Sequence, residues 1–487
     1  MESRISILLW LKPLRVFVSI TVFCFFLFIY LAPISLVPVA MIDIFLYPQF
    51  TQSFIKFIHE FTFAGVGFLA ILLLTFLFGR FYCYTLCPLG TLMDLIIKAG
   101  KIWGIKKAHH YHKSVAWIPY LWVVIITVVI ISGNVLLFGL LDPFSLTGKI
   151  VVHMRPEPES FSKPVFLFVL VFLVFLTILT LYKDRRYCDI LCPIGGILGV
   201  VASCSLFKIR INEQSCNRCG KCLDVCKAGC INLESKRVEF YRCVECFNCF
   251  KSCQEGAIFF ISGYRKDQKN TLNKPSTADR RNFLRILIAG TGFILGLNKL
   301  CGGNNQEENL EYSPVMPPGA GDQDRFSERC TACHLCIASC PTGVLRPGFL
   351  DYGWTGIFQP KMDFRSGFCQ HQCNRCLTVC PTGAIQMLDL TQKQKLQIGV
   401  AVWIRNQCIV VSSRKGCGMC AKRCPTDALK MVSWLGGLMI PSIDESRCIG
   451  CGVCEYDCPV RPEKAIFVEA NKVQREIRLI SGEIIHT

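Results

Sequence analysis

The chain has 487 residues, 52% of them hydrophobic, with a mean hydropathy of +0.41 and a net charge of +18. This composition excludes an ordinary soluble enzyme and fits a membrane protein that carries polar parts. The basic residues lie beside apolar segments and no RNA- or DNA-binding signature is present, so membrane orientation accounts for the charge and nucleic acid does not.

Four apolar stretches near spanning length come first: Val16–Val37, Phe61–Phe78, Val115–Phe138 and Pro164–Leu181. A spanning helix needs about 20 apolar residues. Arg4, Lys12 and Arg15 precede the first stretch, and Lys98, Lys101, Lys106, Lys107 and Lys113 follow the second. Lys183, Arg185 and Arg186 follow the fourth. The remaining two loops are balanced in charge. The positive-inside rule therefore predicts that both ends of this four-helix unit face the cytoplasm. The second stretch ends "GRFYCYTLCPLG" and the fourth ends "DRRYCDILCPIGG". Both read Tyr-Cys-x3-Cys-Pro-[Leu/Ile]-Gly, which predicts an internal duplication with Cys83, Cys87, Cys188 and Cys192 on one cytoplasmic face. These four are expected to act together as a redox-active thiol site or a metal centre; packing at helix ends is the competing explanation.

Past the fourth stretch, "CNRCGKCLDVC" supplies Cys216, Cys219, Cys222 and Cys226, and "CVECFNCFKSC" supplies Cys243, Cys246, Cys249 and Cys253. Each is C-x2-C-x2-C-x3-C. Three closely spaced thiolates wrap one cubane [4Fe–4S] cluster, and the fourth usually completes the neighbouring cluster. Crossing predicts Cys216, Cys219, Cys222 and Cys253 around one cluster, and Cys243, Cys246, Cys249 and Cys226 around the other. Zinc sites show paired C-x2-C halves instead of four-cysteine runs. Lys227 and Gln254 follow the two runs where bacterial ferredoxins carry proline; this alters hydrogen bonding without removing a ligand.

Next comes "DRRNFLRILIAGTGFILGLNKL", Asp279–Leu300, followed by a polar Gly/Pro/Asn linker. It resembles a twin-arginine export signal, and both that reading and a plain fifth membrane helix carry the following residues outward. Four more runs follow: Cys330, Cys333, Cys336, Cys340; Cys369, Cys373, Cys376, Cys380; Cys408, Cys417, Cys420, Cys424; and Cys448, Cys451, Cys454, Cys458. All four end Cys-Pro, and the first gap widens in the second and third. The six runs take 24 of the 32 cysteines and predict six [4Fe–4S] clusters. Cys330, Cys333 and His334 match the haem-attachment pattern, which here falls inside a ferredoxin run and is read as coincidence. Cys24, Cys204, Cys230 and Cys301 stand alone and are expected to pack as small hydrophobes. No nucleotide or flavin motif is found.

Residues 1–270 resemble the NapH/NosR family of membrane ferredoxins, on their four spans, two Cys-x3-Cys-Pro motifs and two cluster runs. Residues 275–487 resemble the NapG/MauM family of periplasmic ferredoxins, on the twin-arginine segment and four runs that include the wide Cys408-to-Cys417 gap. The resemblance implies a quinol dehydrogenase component in the bacterial inner membrane, passing electrons from the quinone pool to a periplasmic reductase or cytochrome. A redox maturation factor for metal centres of a periplasmic partner is the alternative.

The expected fold is a membrane α-helical bundle of four helices plus a fifth signal-anchor helix, with α+β ferredoxin-like modules on both sides. The expected divisions are 1–205 for the membrane domain, 206–270 for a cytoplasmic two-cluster module, 271–300 for the signal helix, 301–325 for the linker and 326–487 for a periplasmic four-cluster module. The N-terminus is expected in the cytoplasm and Thr487 in the periplasm. Quinol oxidation releases protons, so its site needs a base at the water boundary. His59 and Glu60, just before Phe61, are the candidates, with Asp43, Asp142 and His153 expected on the same outer face; a site by the cytoplasmic clusters, near the Cys-x3-Cys-Pro motifs, is the alternative.

Overall fold

The computed structural model describes residues 2–32, 37–60, 66–104, 118–131, 135–154, 163–262 and 313–477. The segment Asp279–Leu300, the linker up to residue 312, Cys301 and the side chain of Glu60 lie outside that description.

The N-terminal half is helical: α1 (Glu2–Leu31), α2 (Val39–Leu46), α3 (Phe50–Glu60), α4 (Gly67–Phe78), α5 (Tyr82–Thr85), α6 (Pro88–Ile102), α7 (Ile118–Ile131), α8 (Leu136–Leu141), α9 (Pro143–His153), α10 (Lys163–Lys183), α11 (Arg186–Ile190) and α12 (Pro193–Ser203). Lys12–Leu31 in α1 and Lys163–Tyr182 in α10 are long and apolar enough to cross a membrane. The second and third expected spans appear as the shorter apolar helices α4 and α7, whose flanks at 61–65, 105–117 and 132–134 lie outside the described residues. Proline at the first helical position and a cysteine cap start both α6 and α12, as expected where a missing N–H costs nothing.

The chain divides into two compact units. The first comprises Met1–Ile29, Ile44–Ile150 and Val169–Asn305; the second comprises Tyr30–Asp43, Val151–Phe168 and Gln306–Thr487. Within the first, β1 (Phe207–Ile211), β2 (Ile231–Asn232), β3 (Arg237–Val238) and β4 (Ile258–Ser262) frame the two-run module. β1 pairs antiparallel with β4, and β2 with β3. The Leu206 amide donates to the Phe76 carbonyl at 2.8 Å, so this module is anchored at the C-terminal end of α4.

Within the second unit the strands are β5 (Leu345–Pro347), β6 (Pro360–Met362), β7 (Leu396–Trp403), β8 (Leu429–Ser433), β9 (Met439–Ile443) and β10 (Ile466–Glu476). They pair antiparallel as β5–β6, β7–β10 and β8–β9. The Gln474 side chain receives the Gly319 amide at 2.8 Å and donates to the Pro317 carbonyl at 2.8 Å, tying the module's start to its last strand. The Tyr30 hydroxyl donates to the Cys333 carbonyl at 3.0 Å, and the Phe168 ring packs 4.7 Å from that of Phe358.

Candidate metal centres

In the two-run module the run from Cys216 to Cys226 is loop and turn throughout, whereas Cys249 lies in the short helix Asn248–Ser252, which ends just before Cys253. Cys216, Cys219, Cys222 and Cys253 line one cavity. Cys226, Cys243, Cys246 and Cys249 line another. Each cavity thus takes three cysteines from one run and the last from the other.

The first two runs of the four-run module repeat the exchange. Cys340 joins Cys369, Cys373 and Cys376 around one cavity. The Cys336 thiol has Cys333, Cys330 and Cys380 as electrostatic neighbours. The Cys454 thiol has Cys451, Cys448, Cys420 and Cys424 as electrostatic neighbours. Cys420 neighbours Cys417 and Cys408, and Cys408, Cys420 and Cys424 pack against the apolar cluster that contains Cys448, Cys454 and Cys458. The two halves meet where the Cys369 amide donates to the Cys451 carbonyl at 2.9 Å. The four groups therefore form one series.

These sites fit clusters better than single ions. Among the described residues no three His, Cys, Asp or Glu side chains converge on a position for one metal ion, whereas a tetrahedral zinc would draw four sulfurs to about 2.3 Å from one point. Thiols spread around a cavity suit a group larger than an ion. Burial raises the Cys222 and Cys420 thiols to about 11, so ligation there displaces protons.

Cys230 departs from its expected role. It is 2% exposed, as packing requires, but it lies in the cavity of Cys226, Cys243, Cys246 and Cys249 as a fifth thiol. Its Sγ is 3.6 Å from that of Cys226. Hydrogen bonding to Cys226 and Cys243, with burial, keeps Cys230 protonated; the same bond holds Cys226 down to about 6. Cys230 is thus an S–H donor to a candidate ligand sulfur. The sequence signal was available: Lys227, in place of the usual proline, opens the short Cys226–Cys230 loop. Hydrogen bonds to cluster sulfurs favour the reduced, more negative state. Cys230→Ala is expected to lower that centre's potential by roughly 20–60 mV, one hydrogen bond converted at one electron; an EPR-monitored redox titration measures it. Cys24 and Cys204 are exposed and not packed.

His334 is buried and its Nε2 lies 2.9 Å from the Phe358 carbonyl oxygen. Its φ of +63° places it in the turn between Cys333 and Cys336, inside the ferredoxin loop. The haem-like pattern is therefore part of a four-cysteine site.

The outer-face candidates separate. His59 is half-buried in the last turn of α3, and Asp43 is exposed in α2. Asp142 is fully buried and caps α9, accepting the Ser145 amide at 2.8 Å and the Thr51 hydroxyl at 2.7 Å. His153 ends α9 and is buried, with its ring 5.7 Å from that of His334.

The Cys-x3-Cys-Pro pairs converge. Cys83, Cys87, Cys188 and Cys192 are each at most 5% exposed, and the Cys192 thiol has Cys188, Cys83 and Cys87 as neighbours. Two arginines hold the pairs in a swapped arrangement. Arg80 donates to the Cys188 carbonyl at 2.8 Å, the Gly195 carbonyl at 2.7 Å and Asp189 at 2.7 Å. Arg185 donates to the Cys83 and Gly90 carbonyls, both at 3.0 Å, and to Asp94. Each stands three residues before the first cysteine of its own copy, a signal the extended repeat Arg-x-Tyr-Cys-x3-Cys-Pro carried.

Comparison with known proteins agrees with this geometry. Family models described as [4Fe–4S] dicluster domains match residues 329–385 and 413–461, and others described as [4Fe–4S] binding domains match 213–229 and both 61–106 and 165–212. The methylamine utilization ferredoxin-type protein MauM of Methylobacillus flagellatus is 31% identical over 233 residues, covering 45% of this chain and 93% of MauM. The chain belongs to the MauM-type ferredoxin family. The ferredoxin-type protein NapG of Escherichia coli K12 is 26% identical over 42% of this chain and 90% of its own length. The putative electron transport protein YccM of the same organism is 27% identical over 46% of this chain and 62% of its own length. No solved structure matches. This MauM-type chain is an iron–sulfur electron-transfer protein with several [4Fe–4S]-binding domains, and two of its helices are long and apolar enough to cross a membrane.

Proposed function

We propose that the chain is a quinol-oxidising relay of the bacterial inner membrane, holding six [4Fe–4S] clusters on the 24 run cysteines and delivering electrons to a periplasmic cytochrome or reductase. The observation that carries the reading is the exchange of the last cysteine between paired sites, which sets successive sites side by side. Bound clusters would supply one-electron storage, and the protein spaces them in series. Orientation follows from the lysine- and arginine-rich connections, with residues 206–270 in the cytoplasm and residues 326–487 in the periplasm.

His153 supports the outer placement of the quinol site. It packs beside His334, the residue after Cys333, so a base stands close to the first site of the four-run module. His59 and Glu60 remain on the same reading as proton acceptors at the water boundary. The test is reduction of the clusters by a quinol analogue in membrane vesicles, followed by EPR. His153→Ala is expected to slow quinol-driven reduction by roughly 100-fold, the scale of a general base, with reduction by dithionite unchanged. An unchanged quinol rate in both His153→Ala and the His59→Ala/Glu60→Ala variant would refute the outer site. Clusters that quinol does not reduce at all, together with loss of metal from a partner enzyme when the chain is deleted, would replace the relay by the maturation factor.

A further inference from the structure

The two Cys-x3-Cys-Pro copies have a use that the six four-cysteine runs do not cover. We propose that Cys83, Cys87, Cys188 and Cys192 together hold one further iron–sulfur cluster at the junction of the two repeats. The proposal rests on the iron–sulfur electron-transfer reading above.

Four observations converge on it. All four thiols are buried, and each copy contributes two. No disulfide joins them, and they do not converge on a single-ion position, among the described residues. They are electrostatic neighbours all the same, which is the arrangement found at the run cysteines. Each stretch described as a [4Fe–4S]-binding domain, 61–106 and 165–212, contains one such pair and none of the six runs. One pair is too few for a cluster; the two pairs make the four thiolates it needs.

The surroundings suit an anionic group. The Gly90 amide donates to the Cys87 sulfur at 3.4 Å, and the Gly195 amide to the Cys192 sulfur at 3.3 Å. Both sulfurs cap the N-termini of helices, of 15 and 11 residues, where the helix dipole offsets part of the cost of burying negative charge. Glycine is required at both places. A Cβ on Gly90 would meet the Cys83 carbonyl oxygen at 2.3 Å, and one on Gly195 the Cys188 carbonyl oxygen at 1.9 Å. Arg80 and Arg185, each 1% exposed, bring positive charge to the thiols and lock each copy to the other. Packing at a helix end explains one buried cysteine. It leaves unexplained a site built twice, with swapped arginines and amides aimed at sulfur.

A route for one electron adjoins the site. Asp189 follows Cys188 and pairs at 3.3 Å with Arg242, which precedes Cys243. Lys227 follows Cys226 and pairs at 2.9 Å with Asp94, the partner of Arg185. Two ligand positions of one run cavity are thus a single residue away from contacts with the four-thiol site. The two centres would exchange one electron, one being oxidised as the other is reduced, with no bond made or broken.

The test compares full-length wild type, Cys87→Ser and the quadruple Cys→Ser variant, purified anaerobically, by iron and sulfide analysis and Mössbauer spectroscopy. Both variants are expected to lose two to four irons per chain, the number giving the cluster type, while the signals of the run clusters persist and show that the protein is folded. Iron and spectra equal to wild type in Cys87→Ser and in the quadruple variant overturn the proposal. Equal iron with lost electron transfer assigns the thiols to dithiol chemistry and overturns it as well. Should the quadruple variant fail to fold, the one-atom change in Cys87→Ser decides. A wild type without iron in the six runs would defeat the proposed function instead, so the two failures are distinct.

Discussion

Cys380→Ala is expected to remove about four irons per chain, the content of one cubane, and the loss should belong to the centre of Cys330, Cys333 and Cys336. Cys380 lies in the run with Cys369, Cys373 and Cys376, but it is a neighbour of the Cys336 thiol, while Cys340 takes its place around the other cavity. Residues that serve one centre act non-additively. The Cys330→Ala/Cys380→Ala double variant should therefore lose the same four irons or so as either single variant. Cys369→Ala/Cys380→Ala should lose about eight, because two centres are opened. Iron analysis with spin quantitation of the reduced proteins reads both values. Pairing within each run would reverse the two results. Because the four sites stand in series, either single loss should also stop electron delivery past the break.

Arg80→Ala is expected to destabilise the helical unit by about 3–5 kcal/mol, lowering the thermal midpoint in detergent by roughly 10 °C. Arg80 is 1% exposed and makes three bonds to the other repeat, at Asp189, the Cys188 carbonyl and the Gly195 carbonyl. Its removal leaves two buried carbonyls without that donor, and Asp189 keeps its pair with Arg242. Arg80→Lys keeps the charge but loses the planar fork, so it should recover only part of the loss. Arg186→Ala is the control, since Arg186 makes none of these bonds and should shift the midpoint far less. An Arg80→Ala midpoint equal to that of Arg186→Ala would show that the swapped arginines do not hold the repeats together.

The six cysteine runs, the repeated Tyr-Cys-x3-Cys-Pro motif and the apolar stretches are legible along the chain, because each is a local pattern. Three cluster ligands must sit on one short loop, and a spanning helix must be apolar along its own length, so neighbouring residues carry that information. The exchange of Cys226 and Cys253 is legible there as well, since that exchange recurs in two-run modules. Roles that depend on distant partners emerge only once the chain is folded. Cys230 became a fifth thiol only because the turn after Cys226 folds it back toward Cys243. Asp142, placed by its loop at a water boundary, caps a buried helix because Thr51 and Ser145 receive it there. Arg80 looked like an unremarkable end to an apolar stretch, and Arg185 like a loop charge. Their partners lie about a hundred residues away, and a buried guanidinium is tolerated only where carboxylates and carbonyls from the rest of the chain satisfy its fork of donors.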